Sequence, residues 1–375
     1  MSLSQGHSKI GITITKSHTF SNGMNQNAIF LYLVCKNLGY ECDLLSHEES
    51  HDEIVYNNIP VKRISEDETV FNTSHYKAII TVTGRLSKAI SDKCKKSGTI
   101  VIGYTCSNQL CMAIEATATA HSRSIIIGRE AANDKGWILD SFPFMKTYYE
   151  LLCGVKSQYV PHVWNSELVE YYCKHINQKD PKLLVYDPKL HTQKKLTLLI
   201  PESNVNFVKT AIVPLMAAEK LHSINPELID EIFIFSYPTE STSLEDLVSK
   251  LQVGKKVRKF TRQLISDILT HFNTRPTVPV FTCHHIYTPL NYSYYELMYF
   301  GFPFVHNSEL LKEYGHFYTD LDIDMCAVQI FKAYMNHAVD FDAKIAKNRN
   351  YLETIDPNHP RCLERWKPIV AAALE

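Results

Sequence analysis

The side chains best placed for chemistry lie in the last third of the sequence. His284 and His285 follow, after Cys283, on VPVFT, a run that reads as a strand ending at Thr282. Asn291, Tyr292 and Ser293 open a helical stretch that carries Glu296; Gly301 closes it, and His306 and Asn307 follow the next apolar run. The N–H groups and positive dipole end of a helix start suit a diphosphate. A carboxylate one turn further on can accept hydrogen bonds from ribose hydroxyls. Imidazoles at a strand's carboxyl end can hydrogen-bond a phosphate or act as acid–base groups, which makes His284 and His285 the catalytic candidates. On spacing alone, an ordinary helix–strand unit with a solvent-facing glutamate fits the same residues.

Two further groups need weighing. Gly23, Asn25, Gln26 and Asn27 end a polar loop after the first strand and open the first helix. Amide side chains both donate and accept, which suits sugar hydroxyls or a phosphate, although Asn25 also fits a plain helix N-cap. Lys255, Lys256, Arg258, Lys259 and Arg262 form the one basic cluster. Arg258 or Lys259 could neutralise a diphosphate; a solvated sheet edge is the bland alternative. No His, Asp and Glu set has metal spacing. The run Asp320, Asp322, Asp324 lacks the glycine and distal glutamate of a calcium loop and reads as the N-terminal cap of a helix over 325–336.

The elements that must position these residues alternate. Strands are expected over 9–15, 41–45, 77–83, 99–104 and 124–127, with helices over 25–38 and 86–96, the first closed by Gly39. After a polar stretch the pattern restarts. Strands over 196–200, 231–236, 256–260, 278–282 and 302–305 alternate with helices over 204–221, 244–251, 262–272 and 292–300. Near-continuous apolar strands between helices predict parallel sheets covered on both faces. The chain therefore reads as α/β, with two Rossmann-like doubly wound domains facing a cleft. The expected boundaries are 1–164, a linker over 165–195, a second domain over 196–345 and a helical segment over 346–375.

Composition narrows the function classes. Of 375 residues 45% are apolar and 21% charged, which describes a folded chain. Lys plus Arg number 39 against 40 Asp plus Glu, so no overall field favours nucleic acid or acidic membranes. The ten cysteines are scattered and form no C-x-x-C pair, as in a reduced cytoplasmic protein. No apolar run approaches the roughly 18 residues of a membrane span.

The stretch from Glu296 through Gly301 and Pro303 to Val305 resembles the segment of GT-B glycosyltransferases in which a glutamate holds the nucleotide ribose. The fuller pattern has a second glutamate earlier, seven residues intervening; that position here is Thr288. The chain is more closely similar to a little-characterised, glycosyltransferase-like family of bacterial and viral proteins known as a domain of unknown function. That likeness rests on the Gly23 to Asn27 element, on Val160 to Trp164, and on Leu290 to Ser308 with Tyr318 and the acidic run after it. The resemblance implies transfer of a sugar from a nucleotide-diphosphate sugar, as co-substrate, to an unidentified glycan, protein or modified-base acceptor. It implies no metal and no further cofactor. The donor-binding residues expected are Glu296, Asn291, Tyr292, Ser293, Arg258, Lys259, His306 and Asn307. Two other readings stay open: a non-catalytic GT-B-like protein that binds a glycan or nucleotide, and a glycosyltransferase acting on modified DNA bases.

Overall fold

A computed structural model describes residues 9–15, 23–48, 59–119, 128–204, 206–238 and 242–375. The chain divides into two compact units. One comprises residues 1–113, 123–168 and 351–375, and the other residues 114–122 and 169–350.

In chain order the first elements are β1 (Lys9–Thr13), α1 (Gly23–Asn37), β2 (Glu41–Ser46), β3 (Val61–Arg63), β4 (Ala78–Thr81), α2 (Lys88–Ser97), β5 (Ile100–Thr105), α3 (Gln109–Thr119), β6 (Lys135–Leu139), α4 (Met145–Cys153), β7 (Ser157–Val160) and α5 (Glu167–His175). The seven strands form one parallel sheet in the order β3-β2-β1-β4-β5-β6-β7. Gly103 and Gly136 are register partners on β5 and β6, and a Cβ on either would collide with Tyr149 of α4. That helix therefore packs flat on the sheet because both strands leave room for its ring. The strand expected over 124–127 lies outside the described residues.

The second series is β8 (Leu196–Ile200), α6 (Ile212–Ile224), β9 (Ile229–Ile234), α7 (Thr242–Lys250), β10 (Val257–Lys259), α8 (Ile265–Phe272), β11 (Val278–Thr282), α9 (Tyr292–Phe300), β12 (Phe304–His306), β13 (His316–Phe317) and α10 (Ile323–Met335). Its strands form a parallel sheet in the order β10-β9-β8-β11-β12-β13. Every residue of β8 and β11 is buried, as their apolar and β-branched sequences lead one to expect of inner parallel strands. The order runs outward in both directions from the β8–β11 pair, so the chain leaves these neighbours towards opposite edges. A crevice forms where such strand ends part. Asp322 caps α10 by accepting from the Met325 amide at 2.8 Å, as the acidic run predicts.

The chain ends in α11 (Phe341–Leu352) and α12 (Pro360–Leu374). Trp366 of α12 meets Trp137 of β6 edge-on, with ring centroids 5.6 Å apart, which ties this last helix to the first sheet.

Two expectations need correction. The helix over 204–221 begins only at Ile212. Asn204 takes a positive φ of 50° and accepts the Ala211 amide at 2.7 Å, and Lys209 pairs its backbone with His285, so Asn204 and residues 206–211 are held out of the helix. Asn25 is not an N-cap, because α1 already starts at Gly23.

Gly301 ends α9 in the left-handed region at φ 83°, and a Cβ there would lie 2.7 Å from Ile345 and 2.9 Å from Phe341. Gly301→Ala should lower stability by about 1–3 kcal/mol through backbone strain and crowding. Urea unfolding checks this; an unchanged midpoint would mean that the two side chains yield freely.

Candidate functional site

The strand ends at the β8–β11 crevice carry most of the buried polar groups of interest. Glu202, two residues beyond β8, is 1% exposed. Its Oε1 accepts the His284 amide at 3.0 Å, which joins the carboxyl ends of the two diverging strands. Its Oε2 is buried with no hydrogen-bond partner among the described residues, the weakly donating Cys283 thiol lying beside the carboxylate. Burial pushes this carboxyl up to about 7, against the opposing pull of Lys209. The half-buried Lys209 ammonium has its pKa lowered by burial, an effect that Glu202 opposes. It makes no hydrogen bond or ion pair with another described residue.

The two histidines beyond β11 are neutral at pH 7. Burial lowers His284 to about 4 and His285, which also faces Lys209, to about 3. Their tautomers follow from their neighbours. The Tyr318 hydroxyl donates to the Cys283 carbonyl at 3.2 Å and so accepts from His284 Nδ1–H at 2.8 Å. That leaves His284 Nε2 a bare acceptor, buried and unpartnered. His285 Nδ1 accepts the Thr288 amide at 3.2 Å, so its proton sits on Nε2, a buried donor that also lacks a partner. Consecutive residues thus hold one unpartnered acceptor and one unpartnered donor, with no acid or base titrating near neutrality on either ring.

Glu296 lies on α9, 3% exposed, and burial alone raises it to about 8. No hydrogen bond or ion pair joins its carboxyl to another described residue. Asn291 is the N-cap of α9. Its side chain accepts from the Ser293 amide at 3.4 Å and its carbonyl from the Tyr294 amide at 3.0 Å, so part of the helix start is already engaged. Tyr292 and Ser293 are half-buried on the same first turn.

The remaining expected donor residues have other duties. His306 is occupied at both nitrogens, by the Ser308 amide at 3.1 Å and the Tyr314 carbonyl at 2.8 Å. Asn307 accepts the His285 amide at 3.0 Å and donates to the carbonyls of His285 (2.8 Å) and Asp320 (3.2 Å), bracing the loop after β11. Arg258 and Lys259 stand on edge strand β10, three strand spacings or about 14 Å from β11. There Arg258 pairs with Glu231 at 2.9 Å, and Lys259 pairs with Glu245 and lies over the Tyr237 ring. These cations face carboxylates of their own, away from the crevice.

In the first unit, Asn25 sits at the corresponding place between β1 and β4. Its Oδ1 accepts from Thr83 Oγ1 at 3.0 Å and Thr15 Oγ1 at 3.2 Å, and its Nδ2 donates to the Thr15 carbonyl at 3.0 Å. Asn27 accepts from the Tyr104 hydroxyl at 3.0 Å and donates to the Gly23 carbonyl, and Gln26 is buried with them. This cluster is a brace. Its preceding loop, residues 16–22, lies outside the described residues.

Sequence reasoning missed Glu202 and Lys209. The signal was the turn-forming stretch Pro201-Glu202-Ser203-Asn204 directly after a buried strand, where a ligand-facing loop belongs.

A family model described as a protein of unknown function (DUF2827) matches residues 10–370. The chain belongs to that family. No curated protein matches the sequence. Among solved structures, this DUF2827 protein is similar to a glycosyltransferase from Rickettsia africae ESF-5, with a TM-score of 0.59 at 12% identity over 98% of each chain. It is similar to Anabaena Alr3699/HepE in complex with UDP-glucose, with a TM-score of 0.56 at 12% identity over 98% of this chain and 99% of that one. An α-glucosyltransferase in complex with UDP and a 13-mer DNA containing an HMU base gives a TM-score of 0.61 at 10% identity over 97% and 99%. At such identities the likeness is one of fold. The DUF2827 chain has the fold of GT-B glycosyltransferases, built from two Rossmann-like parallel sheets.

The unpartnered Glu296 has a consequence for the ligand-free protein. With its carboxyl raised from 4.5 to about 8, the folded chain keeps a proton that the unfolded chain has already released between those values. Its contribution to stability is therefore fullest below about pH 4.5 and is lost as pH rises through about 8; Glu202 acts in the same direction up to about 7. Thermal unfolding should show stability falling across this window, and Glu296→Gln should flatten part of the fall. An identical pH slope in the variant would mean that the carboxyl is solvated.

Proposed function

We propose that this protein is a glycosyltransferase that binds a nucleotide-diphosphate sugar at the carboxyl ends of β8 and β11 and transfers the sugar to an acceptor. The observation that carries the reading is Glu296, a buried carboxylate on the helix after β11 with no hydrogen-bond or ion-pair partner among the described residues. A buried charge of this kind is costly unless donors reach it. The paired hydroxyls of a ribose are such donors. Lys209, the unpaired ammonium at the same strand ends, takes the diphosphate in this reading and stabilises it as it departs. That role replaces the one expected of Arg258 and Lys259. Charge is offset by protein groups alone, in the metal-independent manner that the resemblance implies. His285 Nε2–H and His284 Nε2 offer a donor and an acceptor to hydroxyl or phosphate oxygens.

A non-catalytic binding role is the second reading, and Thr288 favours it. At the place of the expected earlier glutamate stands a residue whose amide closes the loop onto His285.

Calorimetry with a panel of UDP-, GDP- and ADP-sugars tests the donor site. Wild type should bind one of them, and Glu296→Ala and Lys209→Ala should each weaken it by about 10–100-fold, the worth of a charge-assisted hydrogen-bond set. Binding by no nucleotide sugar, or equal binding by both variants, would sink the assignment. Sugar transfer or donor hydrolysis above background separates the enzyme from the binding protein.

A further inference from the structure

Glu202 does something that a mere strap between strands would not require. One oxygen is enough to hold the His284 amide, yet the second, Oε2, is also buried and, beyond the weakly donating Cys283 thiol beside the carboxylate, has no hydrogen-bond partner among the described residues. The charged and titratable groups facing this carboxyl come from each element around it. Lys209 faces it from the segment before α6, Cys283 from the end of β11, Tyr294 from α9 and Tyr318 from beyond β13. Burial raises the thiol and both phenols well above their ordinary values, so they are neutral. Around Glu202 itself the described residues therefore set one carboxylate against one ammonium, not closed into an ion pair, with Arg262 as a further cation that acts on Lys209.

A phosphate that engages Lys209 places new negative charge beside a carboxylate that cannot swing away, because Oε1 is anchored to the strand end. Like charges this close in a dry site cannot both persist. We infer that Glu202 is a positioning residue that binds a proton from solvent at Oε2 when the diphosphate of a nucleotide ligand engages Lys209. An O–H bond forms on Oε2, the buffer loses the proton, and the atom changes from an unpartnered acceptor into a donor directed at the new anion. The His284 amide contact is kept throughout, so the loop carrying both imidazoles stays in place. Because the free carboxyl already titrates near 7, uptake is largest slightly above neutrality. The inference rests on the donor-site reading above and adds a proton to it.

Glu296 works in the opposite sense, since a ribose contact needs it ionised and so releases a proton. Glu296→Gln removes that release. Calorimetric titration of UDP at pH 8, in HEPES and in Tris, gives the proton balance from the difference in heats. Glu296→Gln should take up most of one proton, and its UDP affinity should weaken about tenfold per pH unit between about 7.5 and 8.5. The Glu202→Gln/Glu296→Gln double variant should bind UDP with no uptake and a flatter pH profile. No uptake in Glu296→Gln, or equal uptake in the double variant, overturns the inference. If the double variant does not fold, uptake and its pH profile in Glu296→Gln decide alone. An identical proton balance in wild type and Glu296→Gln removes the ribose role of Glu296 while leaving the Glu202 uptake readable. Failure of UDP and the other nucleoside diphosphates to bind wild type overturns the donor-site reading and this inference with it.

Discussion

The second unit depends on how β8 and β11 are held together where the chain leaves them in opposite directions. Within a parallel ladder each strand satisfies its neighbour, but beyond the carboxyl ends the backbone amides have no regular partner. A single carboxylate oxygen takes one of them, the His284 amide, and fixes the height of the loop above β11 against β8. Asn307 fixes the same loop from the other side, taking the His285 amide and carbonyl together. The first unit meets the same constraint at β1 and β4 with a neutral amide, Asn25, whose side chain has both a donor and an acceptor to spend. Using a carboxylate in the second unit is the more costly choice, because a buried charge needs compensation that a buried amide does not. That difference is what the proposed function draws on in placing the charge chemistry at the second unit's crevice.

Burial then sets the character of the crevice. Imidazoles held at about 4 and about 3 are fixed dipoles at neutral pH, whereas carboxyls raised to about 7 and about 8 sit where small changes of environment alter their charge. Proton exchange in this site therefore belongs to the two glutamates, and directional hydrogen bonding to the two histidines. The division follows from the sign of desolvation, which favours the neutral form of every group: it lowers a base and raises an acid.

Much of this architecture was legible in sequence, and the reasons differ by element. The bounds of β8, β11 and α9 agree with expectation because β8 and β11 are short runs of apolar and β-branched residues, β8 stopped by Pro201, and α9 is a mostly aromatic and apolar stretch closed by Gly301. Glu202 and Lys209 were hidden because the apolar period of α6 extends backwards through Phe207 and Val208. It is broken by the turn at Asn204 and by a tertiary contact, the Lys209–His285 bridge, which no local pattern encodes. His306, Asn307, Arg258 and Lys259 show the converse limit. Residue type and strand position pointed to a ligand, but their partners Tyr314, Asp320, Glu231 and Glu245 are remote enough in sequence or unremarkable enough to escape notice. Short strands such as β3 and β7 are too polar to read, their stability coming from sheet neighbours and not from their own sequence.

Thr288 bears on what the crevice asks of a donor sugar under the proposed function. A glutamate there would bring a third carboxylate to a site where, among the described residues, Lys209 is the ammonium without an ion-pair partner, and two of the three would have to be protonated or expelled once a diphosphate arrived. The threonine avoids that conflict. Its amide holds His285 Nδ1 and its hydroxyl donates to the Ile286 carbonyl at 3.3 Å, so the position acts through the loop's shape. Contact with a sugar then falls to the group this loop orients, the neutral Nε2–H of His285, which can donate to a hydroxyl but cannot accept from one. The sugar would be recognised through an oxygen lone pair where a carboxylate recognises a hydroxyl proton, and that inversion follows from placing a second glutamate, Glu202, beneath the same loop.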